Sequence, residues 1–386
     1  MLEGVDGRLN SMRILVINVG SSTVKLSVTV LPSGEGVFKT EVAIGKGGVE
    51  EAIGSIPALL LGGKVDRVDA VGHRVTHGAD QFREATLIDE AVLAAIESLS
   101  SLAPLHNPPA LAGIRLARTH WPHAPQVAVF DTAFHRDMPS HATAYAVPDE
   151  WRDAGARRFG FHGTSHKYVM ERVSQALQTP ARDLRIVSCH LGNGASLCAI
   201  ERGISVDTSM GTTPLEGLVM GTRSGDIDPG LAAHVHRVLG LSFEEIEAAL
   251  YRRSGLAALS GRGNDLRQIE SAAAEGDARA RLAVDVYAYR ARKYIGAYAA
   301  AMGGMEVLAF TGGIGENSAS MRSRICERLE FLGVRVDEES NAAVQLKDYE
   351  AVQIQREDSR VRVIVTQARE QWMIAQEVHR LLARNA

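Results

Sequence analysis

Residues 13–25 read Arg13-Ile-Leu-Val-Ile-Asn18-Val-Gly20-Ser21-Ser-Thr23-Val-Lys25, and this stretch decides the fold. Arg13 to Asn18 has the apolar run of a buried strand, Gly20 to Thr23 reads as a turn, and Val24 to Val30 alternates like a hairpin partner. The same design recurs at Arg185-Ile-Val-Ser-Cys189, a turn over 191–194, and Ala195-Ser-Leu-Cys-Ala-Ile200. The second turn lies in His190-Leu-Gly-Asn-Gly194, and a third glycine-lined segment, Thr311-Gly-Gly-Ile-Gly-Glu-Asn317, follows the apolar run Val307 to Phe310. Glycine removes the Cβ barrier to close backbone approach, so N–H and hydroxyl groups can converge on an anion. Three such segments argue for an enzyme that handles ATP, although none has the G-x-x-x-x-G-K-[ST] spacing of a P-loop.

Around these units the pattern predicts strands at 68–73 and 125–130 with a helix at 89–101 between them. Helices follow at 231–238, 243–253 and 275–301, the last with Leu282, Val286 and Ile295 on an apolar stripe. Strands at 306–310 and 361–366 and a closing helix at 370–383 complete an α/β layering. A length of 386 residues exceeds the usual single core, so two domains are expected, with the junction near 150–165.

Composition excludes several classes. Hydrophobic residues make up 45% and charged residues 23%, as in ordinary globular chains rather than disordered or fibrous ones. The formal charge of −4 and the lack of a long basic track interleaved with aromatics give no reason to expect nucleic acid. Arg157-Arg158 and Arg252-Arg253 are only local pairs. Cys189, Cys198 and Cys326 have no ligand spacing and read as reduced thiols of a cytosolic protein. No run approaches the length of a membrane span. Residues 1–11 lack the apolar core of a secretory signal and read as a loose extension or an upstream start.

Several clusters carry residues suited to phosphoryl chemistry. Asn18 ends a strand, Ser21 and Thr23 can orient phosphate or a metal-bound water, and Lys25 adds a positive charge; a polar hairpin turn with a surface lysine is the plainer reading. In Gly72-His-Arg-Val-Thr-His-Gly78, Arg74 lies just past a predicted strand, where its fork can clamp a carboxylate or phosphoryl group. Asp131 likewise follows Val127 to Phe130, a strand-end position that suits an active site in an open sheet. Either could instead be a structural ion pair.

In Arg157-Arg-Phe-Gly-Phe-His-Gly-Thr-Ser-His166 the histidines are four apart, but Gly163 argues for a turn and no H-E-x-x-H carboxylate accompanies them. His162 is better suited to phosphate, while Ser165 and His166 begin or stabilise the next helix. Arg223 sits among glycines and small polar residues in Met220-Gly-Thr-Arg-Ser-Gly-Asp226. Arg74 and Arg223 together could neutralise a transferring phosphoryl group.

The chain resembles the acetate kinase family over residues 13–378. The resemblance rests on N-V-G-S-S-T-V-K, G-H-R-V-T-H-G, A-P-L-H-N-P-P, F-D-T-A-F-H, R-R-F-G-F-H-G-T-S-H, C-H-L-G-N-G, D-T-S-M-G-T-T-P-L-E-G-L, G-T-R-S-G-D and G-G-I-G-E-N, in that order. It implies an α/β, duplicated ribonuclease-H-like (actin-like ATPase) fold in two domains with an interdomain active-site cleft. The N-terminal domain would span 12–160, completed by the helix 371–386, and the nucleotide-binding domain 161–370. It also implies transfer of the ATP γ-phosphoryl group to a short-chain carboxylate in a cytoplasmic homodimer, with Mg2+ or alternatively Mn2+, and neither nucleic acid nor membrane as partner.

Carried over by motif, Asp131, His162 and Arg223 would be catalytic, and Arg74 would bind the carboxylate and transferring phosphoryl. Thr76, Leu105, Phe161 and Pro214 would form the acyl pocket, with His106 and His190 close by. Asn18 and Glu370 would place the metal. Phosphates would meet Lys25, His190, Gly192, Asn193, Gly194 and the segment Gly312, Gly313, Ile314, Gly315 and Asn317, with Asp265, Leu266 and Arg267 near the nucleoside.

Two departures stand out. The family's usual P-T-N-E-E is replaced by Gln367-Ala-Arg-Glu-Gln371, and Thr76 stands where an apolar residue is common. Thr76 is close to valine in size, so acetate is the expected acid. The alternatives are a propionate or butyrate kinase and, in a different class, a non-catalytic actin-like nucleotide-binding scaffold.

Overall fold

The protein is described from a computed structural model covering residues 11–20, 23–45, 48–104, 106–347 and 350–384. The chain divides into two compact units: one runs to Phe134 and takes back the chain from Arg369, and the other spans His135–Ala368. This division precedes the 150–165 segment that the sequence suggested as junction. The reason is local: residues 135–160 bond within the second unit, as when His135 Nδ1 meets Ser205 Oγ at 2.7 Å and Arg158 N donates to Thr143 O at 2.8 Å.

The first unit holds β1 (Met12–Val19), β2 (Thr23–Leu31), β3 (Glu35–Ala43), β4 (Ala70–Val75), β5 (Thr86–Leu87) and β6 (Gln126–Phe130) in the order β3-β2-β1-β4-β6-β5. The second holds β7 (Arg185–Leu191), β8 (Ala195–Glu201), β9 (Ile204–Thr208), β10 (Val307–Thr311), β11 (Ala351–Gln353) and β12 (Arg362–Thr366) in the order β11-β12-β10-β7-β8-β9. Read from the other edge, the second order repeats the first. In each, three antiparallel strands continue into two parallel ones and end on a short antiparallel edge strand. This is the ribonuclease-H-like sheet, built twice.

The parallel trio of each sheet is buried and dense in Val, Ile, Leu and Ala, as expected for strands covered on both faces. β3 escaped the sequence reading because Glu35-Gly-Val-Phe-Lys-Thr-Glu-Val-Ala43 is a largely solvated edge strand. The helix Asn107–His120 was also missed. Its Pro108 and Pro109 look like breakers, yet proline is tolerated in a first helical turn, where the N–H has no intrahelical acceptor.

The closing helix Glu370–Arg384 buries Met373, Ile374, Ala375 and Val378 and packs on β1, β2, β4 and β6. Gly72 makes that approach possible: a Cβ there would lie 2.8 Å from Val378 Cγ2 and 3.0 Å from Ile374 Cγ2. Each fully buried Ile, Val or Met side chain contributes about 1.5–3 kcal/mol. The long helix Ala278–Ala301 buries Ala280, Ala283, Val284, Tyr287, Ala291 and Ile295. Leu282, expected on its apolar stripe, instead faces solvent at 53% exposure; small alanines and two tyrosines define the packed face.

Candidate active site

In the first unit, polar groups gather where the parallel strands β1, β4 and β6 end. Asn18 lies near the end of β1, Arg74 near the end of β4, and Asp131 directly after β6, with Asp131 N donating to Val75 O at 3.0 Å. Arg74 Nε donates to both Asp131 oxygens at 3.2 and 3.0 Å, and its Nη1 reaches Asn18 Oδ1 at 3.4 Å. Burial works against the Arg74 charge, but the Asp131 and Glu370 carboxylates and the bonds to Asp131 more than offset it, so Arg74 is held firmly cationic. Glu370 enters because it opens the closing helix.

Thr76 is buried just past β4. The neighbouring backbone is fixed by Asn107, whose Oδ1 accepts from His77 N and whose Nδ2 donates to His77 O, both at 3.1 Å. The sequence reading missed Asn107, although it sat within the quoted P-L-H-N-P-P motif. His106 precedes the Asn107–His120 helix as its N-cap residue. Leu105 lies outside the described residues. Lys25 is opposite Asn18 in the β1–β2 register, with its side chain exposed.

In the second unit the corresponding strand ends carry histidines and glycines. His190 lies near the end of β7, and its parallel neighbour on β10 is Thr311. His162 occupies the N-cap of the helix Gly163–Leu177 in the left-handed region at φ 57°, a conformation that costs a non-glycine residue about 1–3 kcal/mol and recurs at functional sites. Its ring centroid is 4.3 Å from that of His190, its Nδ1 meets Ser196 Oγ at 2.9 Å, and His190 Nδ1 meets Ser165 Oγ at 2.7 Å. Phe161 beside it is buried.

Arg223 Nη1 donates to Pro214 O at 3.1 Å, and its guanidinium carbon stands 6.0 Å from the Tyr251 ring centroid. Gly194 lies between the two candidates, since a Cβ on it would be 3.4 Å from His162 Nε2 and 3.8 Å from Arg223 Nη1. The loop carrying Pro214 is clamped by Arg158, whose Nη1 donates to Thr208, Ser209 and Met210 carbonyls at 3.0, 3.2 and 3.1 Å. Arg158 Nη2 also pairs with Glu216. Burial, then the Glu216 hydrogen bond, pushes the Tyr145 phenol up to about 12.

The glycine segments meet in this unit. A Cβ on Gly192 would sit 3.9 Å from Gly313 N. Gly221 N donates to Asn193 O at 2.9 Å, and Asn264 Nδ2 donates to Asn193 Oδ1 at 2.7 Å. The 311–317 segment is not an open loop: the chain passes from β10 directly into the short helix Gly312–Asn317. Gly312 takes φ 78°, and a Cβ there would come 2.6 Å from Leu191 O. Ile314 packs on the core, Gly315 is buried, and Asn317 Nδ2 donates to Gly313 O at 2.8 Å. Arg322, buried and missed by the sequence reading, holds the carbonyls of Gly315 and Glu316, each at 2.9 Å.

Asp265 caps the next helix by accepting from Arg267 N at 3.0 Å and pairs with the Arg267 side chain at 2.8 Å, while Leu266 between them is buried. Among the described residues, no group of three or more His, Cys, Asp or Glu side chains is gathered to hold a metal by itself. His162 and His166 do not share a metal-binding arrangement; both nitrogens of His166 are engaged by serine hydroxyls.

A duplicated sheet of this order, with arginines, histidines and glycine turns at its strand ends, defines an actin-like kinase architecture. The chain belongs to the acetokinase family, whose model matches residues 33–376. Acetate kinase from Halothermothrix orenii is 43% identical over 400 residues, spanning 96% of this chain and 100% of the relative. The crystal structure of Porphyromonas gingivalis acetate kinase matches with TM-score 0.89 at 39% identity, covering 96% of this chain and 100% of that one. A propionate kinase structure from Francisella tularensis matches with TM-score 0.88 at 37% identity, covering 95% and 98% respectively.

Proposed function

We propose that this protein is an acetate kinase, catalysing reversible transfer of the γ-phosphoryl group of ATP to acetate to give acetyl phosphate and ADP. The observation that carries this reading is the match to an acetate kinase along that relative's entire length, together with the retention of Arg74, Asp131, His162 and Arg223. An acetate oxygen attacks the γ-phosphorus, and the bond to the β–γ bridging oxygen breaks with its electron pair leaving on ADP. A carboxylate is already ionised near neutral pH, so no strong general base is required. Alignment and charge neutralisation carry the burden instead.

In this reading Arg74, oriented by Asp131, binds the carboxylate and the transferring group. Arg223 and His162 contact equatorial phosphoryl oxygens, with His190 and His106 supporting the transition state. Thr76, Leu105, Phe161 and Pro214 contact the acyl group. Lys25, His190, Gly192, Asn193, Gly194 and the segment Gly312, Gly313, Ile314, Gly315 and Asn317 serve the phosphates, and Asp265, Leu266 and Arg267 the nucleoside.

Asn18 Oδ1 and the Glu370 carboxylate are hard oxygen donors gathered around Arg74, a donor chemistry that fits Mg2+ or Mn2+. Such an ion would supply charge neutralisation at the nucleotide phosphates.

Three buried free thiols support a reducing, cytoplasmic setting, and the net charge of −4 supports an enzyme without a nucleic-acid partner. No described helix is long and apolar enough to cross a membrane. Homodimerisation is supported by Leu231, Val238, Leu239 and Phe243, exposed on and beside the helices Gly230–Leu239 and Phe243–Arg252.

The test is acyl-phosphate formation from Mg2+–ATP and acetate, propionate or butyrate, trapped as hydroxamate. Preference for acetate is expected. Preference for propionate would select the second reading, which the Francisella tularensis likeness favours. ATP binding without product from any acid would overturn both in favour of a scaffold.

A further inference from the structure

We propose that Ser188, His166 and Ser196 form a one-directional hydrogen-bond relay that fixes His162 in the Nε2–H tautomer, aiming a neutral donor at the phosphoryl group. The inference rests on the phosphoryl-contact role given above to His162, and it adds three positioning residues to that role.

The relay follows from counting protons. Ser188 on β7, Ser196 on β8 and His166 on the Gly163–Leu177 helix are completely buried. Ser188 Oγ lies 2.9 Å from His166 Nδ1, Ser196 Oγ lies 2.9 Å from His166 Nε2, and the same Ser196 oxygen lies 2.9 Å from His162 Nδ1. Among the described residues, the Ser188 hydroxyl has His166 as its single hydrogen-bond partner. A buried hydroxyl proton left without an acceptor is costly, about 1–3 kcal/mol, so Ser188 donates to His166 Nδ1.

The remaining steps are then forced. A neutral imidazole carries one proton, and with Nδ1 accepting, His166 is protonated on Nε2 and donates to Ser196 Oγ. The Ser196 hydroxyl has one proton, which it must give to His162 Nδ1. His162 therefore carries its own proton on Nε2. The opposite polarity would satisfy every step except the last, where it strands the Ser188 proton in the core.

Neutrality of His166 has an independent basis. Burial, reinforced by His135 and His190, holds its pKa well below the ordinary histidine value. The outcome matters at His162 Nε2, the nitrogen that faces Gly194. With a proton there, the ring donates to a phosphoryl oxygen; with the proton on Nδ1, it would present a lone pair to that oxygen. Fixing a tautomer through the second ring nitrogen is a general device for histidines at reactive centres.

The test reads the tautomer directly. Nitrogen-15 spectra of the full-length histidine-labelled protein should show a protonated Nε2 and an unprotonated, hydrogen-bonded Nδ1 at His162. Ser188→Ala removes the terminal donor three hydrogen bonds away and should give a mixture of His162 tautomers in a folded protein. Its kcat should fall about 10-fold, the lower end of what orienting partners are worth, with KM for acetate and ATP little changed. Ser196→Ala, which breaks the central link, should do at least as much and decides the matter if Ser188→Ala fails to fold.

A protonated Nδ1 at His162 in the unaltered protein would overturn the proposal. So would an unchanged tautomer in both folded variants, or a shifted tautomer with unchanged kcat. If the Nε2–H tautomer is found and shifts on substitution while the unaltered protein phosphorylates no acid, the relay stands and the acetate kinase reading falls.

Discussion

Arg74 and Asp131 face each other across the C-terminal ends of β4 and β6, the arginine Nε within 3.2 Å of both carboxylate oxygens and Nη2 within 2.5 Å of one. The arginine side chain is 16% exposed and the aspartate 0%, so the pair is aimed at solvent only through the guanidinium. Asp131 thus spends its charge on holding Arg74, which leaves the guanidinium as the partly exposed member of the pair.

That arrangement separates stability from turnover. Arg74→Ala should destabilise the first unit by about 3 kcal/mol, because it takes the guanidinium away from a fully buried carboxylate. Replacing both partners by apolar residues of similar size, Arg74→Met with Asp131→Leu, should restore much of that stability but no activity. Urea unfolding followed alongside the hydroxamate assay checks it; recovery of turnover in the double variant would remove Arg74 from the reaction.

Arg223 Nη1 donates to the Pro214 carbonyl at 3.1 Å and to Met220 Sδ at 3.8 Å, and the guanidinium stands by Tyr251. Arg223→Ala should lower kcat at least ~100-fold, the order of a strong transition-state contact, while circular dichroism and thermal unfolding stay close to normal. Arg223→Lys should rescue poorly, since a point charge does not replace a planar fork. Near-normal turnover by folded Arg223→Ala would refute the role.

Buried histidines set an acid limit on stability. Burial lowers His73 to about 4 despite its bond to Gln126, burial lowers His135 to about 4, and His166 lies well below its usual value. Between pH 6.5 and about 4 the unfolded chain binds these protons and the folded one does not. Stability is therefore fully present above pH 6.5 and falls as pH drops, by up to about 1.4 kcal/mol per pH unit for each histidine. Urea midpoints between pH 7 and 4.5 should follow that trend, and His73→Gln should flatten it for the first unit.

Asn193 packs directly over Gly221, where any Cβ would overlap its amide oxygen. Gly221→Ala should displace Asn193 and its partner Asn264, raising KM for ATP about 10-fold or more, since ångström-scale misplacement is expensive in a phosphate site. KM for acetate should change far less. Equal changes in both would point to general loosening of the unit rather than to the nucleotide.

The apolar side chains Val238 and Leu239 are 64% and 66% exposed at the end of the Gly230–Leu239 helix. If a second copy covers them, Val238→Glu should shift sedimentation from dimer to monomer at micromolar concentration. A monomer before substitution would overturn the assembly.

Local order was largely legible. The two hairpins, the helices at 231–238 and 243–253 and the closing helix all coincide with elements of the structure to within a few residues, because each carries a strong apolar period or a clear cap such as the Ser242–Glu245 capping box. The edge strand β3 and the proline-led Asn107–His120 helix were not, since one is solvated and the other begins with residues that also end helices. Leu282 shows the limit of periodicity: an apolar residue at the right spacing can still face water when alanines supply the close contact.

By itself the sequence determined the duplicated design, the family and the residue types available for phosphoryl chemistry, because short-range pattern and ordered motifs are written along the chain. Only tertiary structure decided which of those residues meet. It paired Arg74 with Asp131 across 57 positions, set Asn107 on the backbone of His77, and threaded Ser188, His166 and Ser196 into one buried line ending at His162. The physical reason is that hydrogen-bond polarity and desolvation act between neighbours in space, and serines scattered over two strands acquire a direction only when the sheet and helix exclude every other partner.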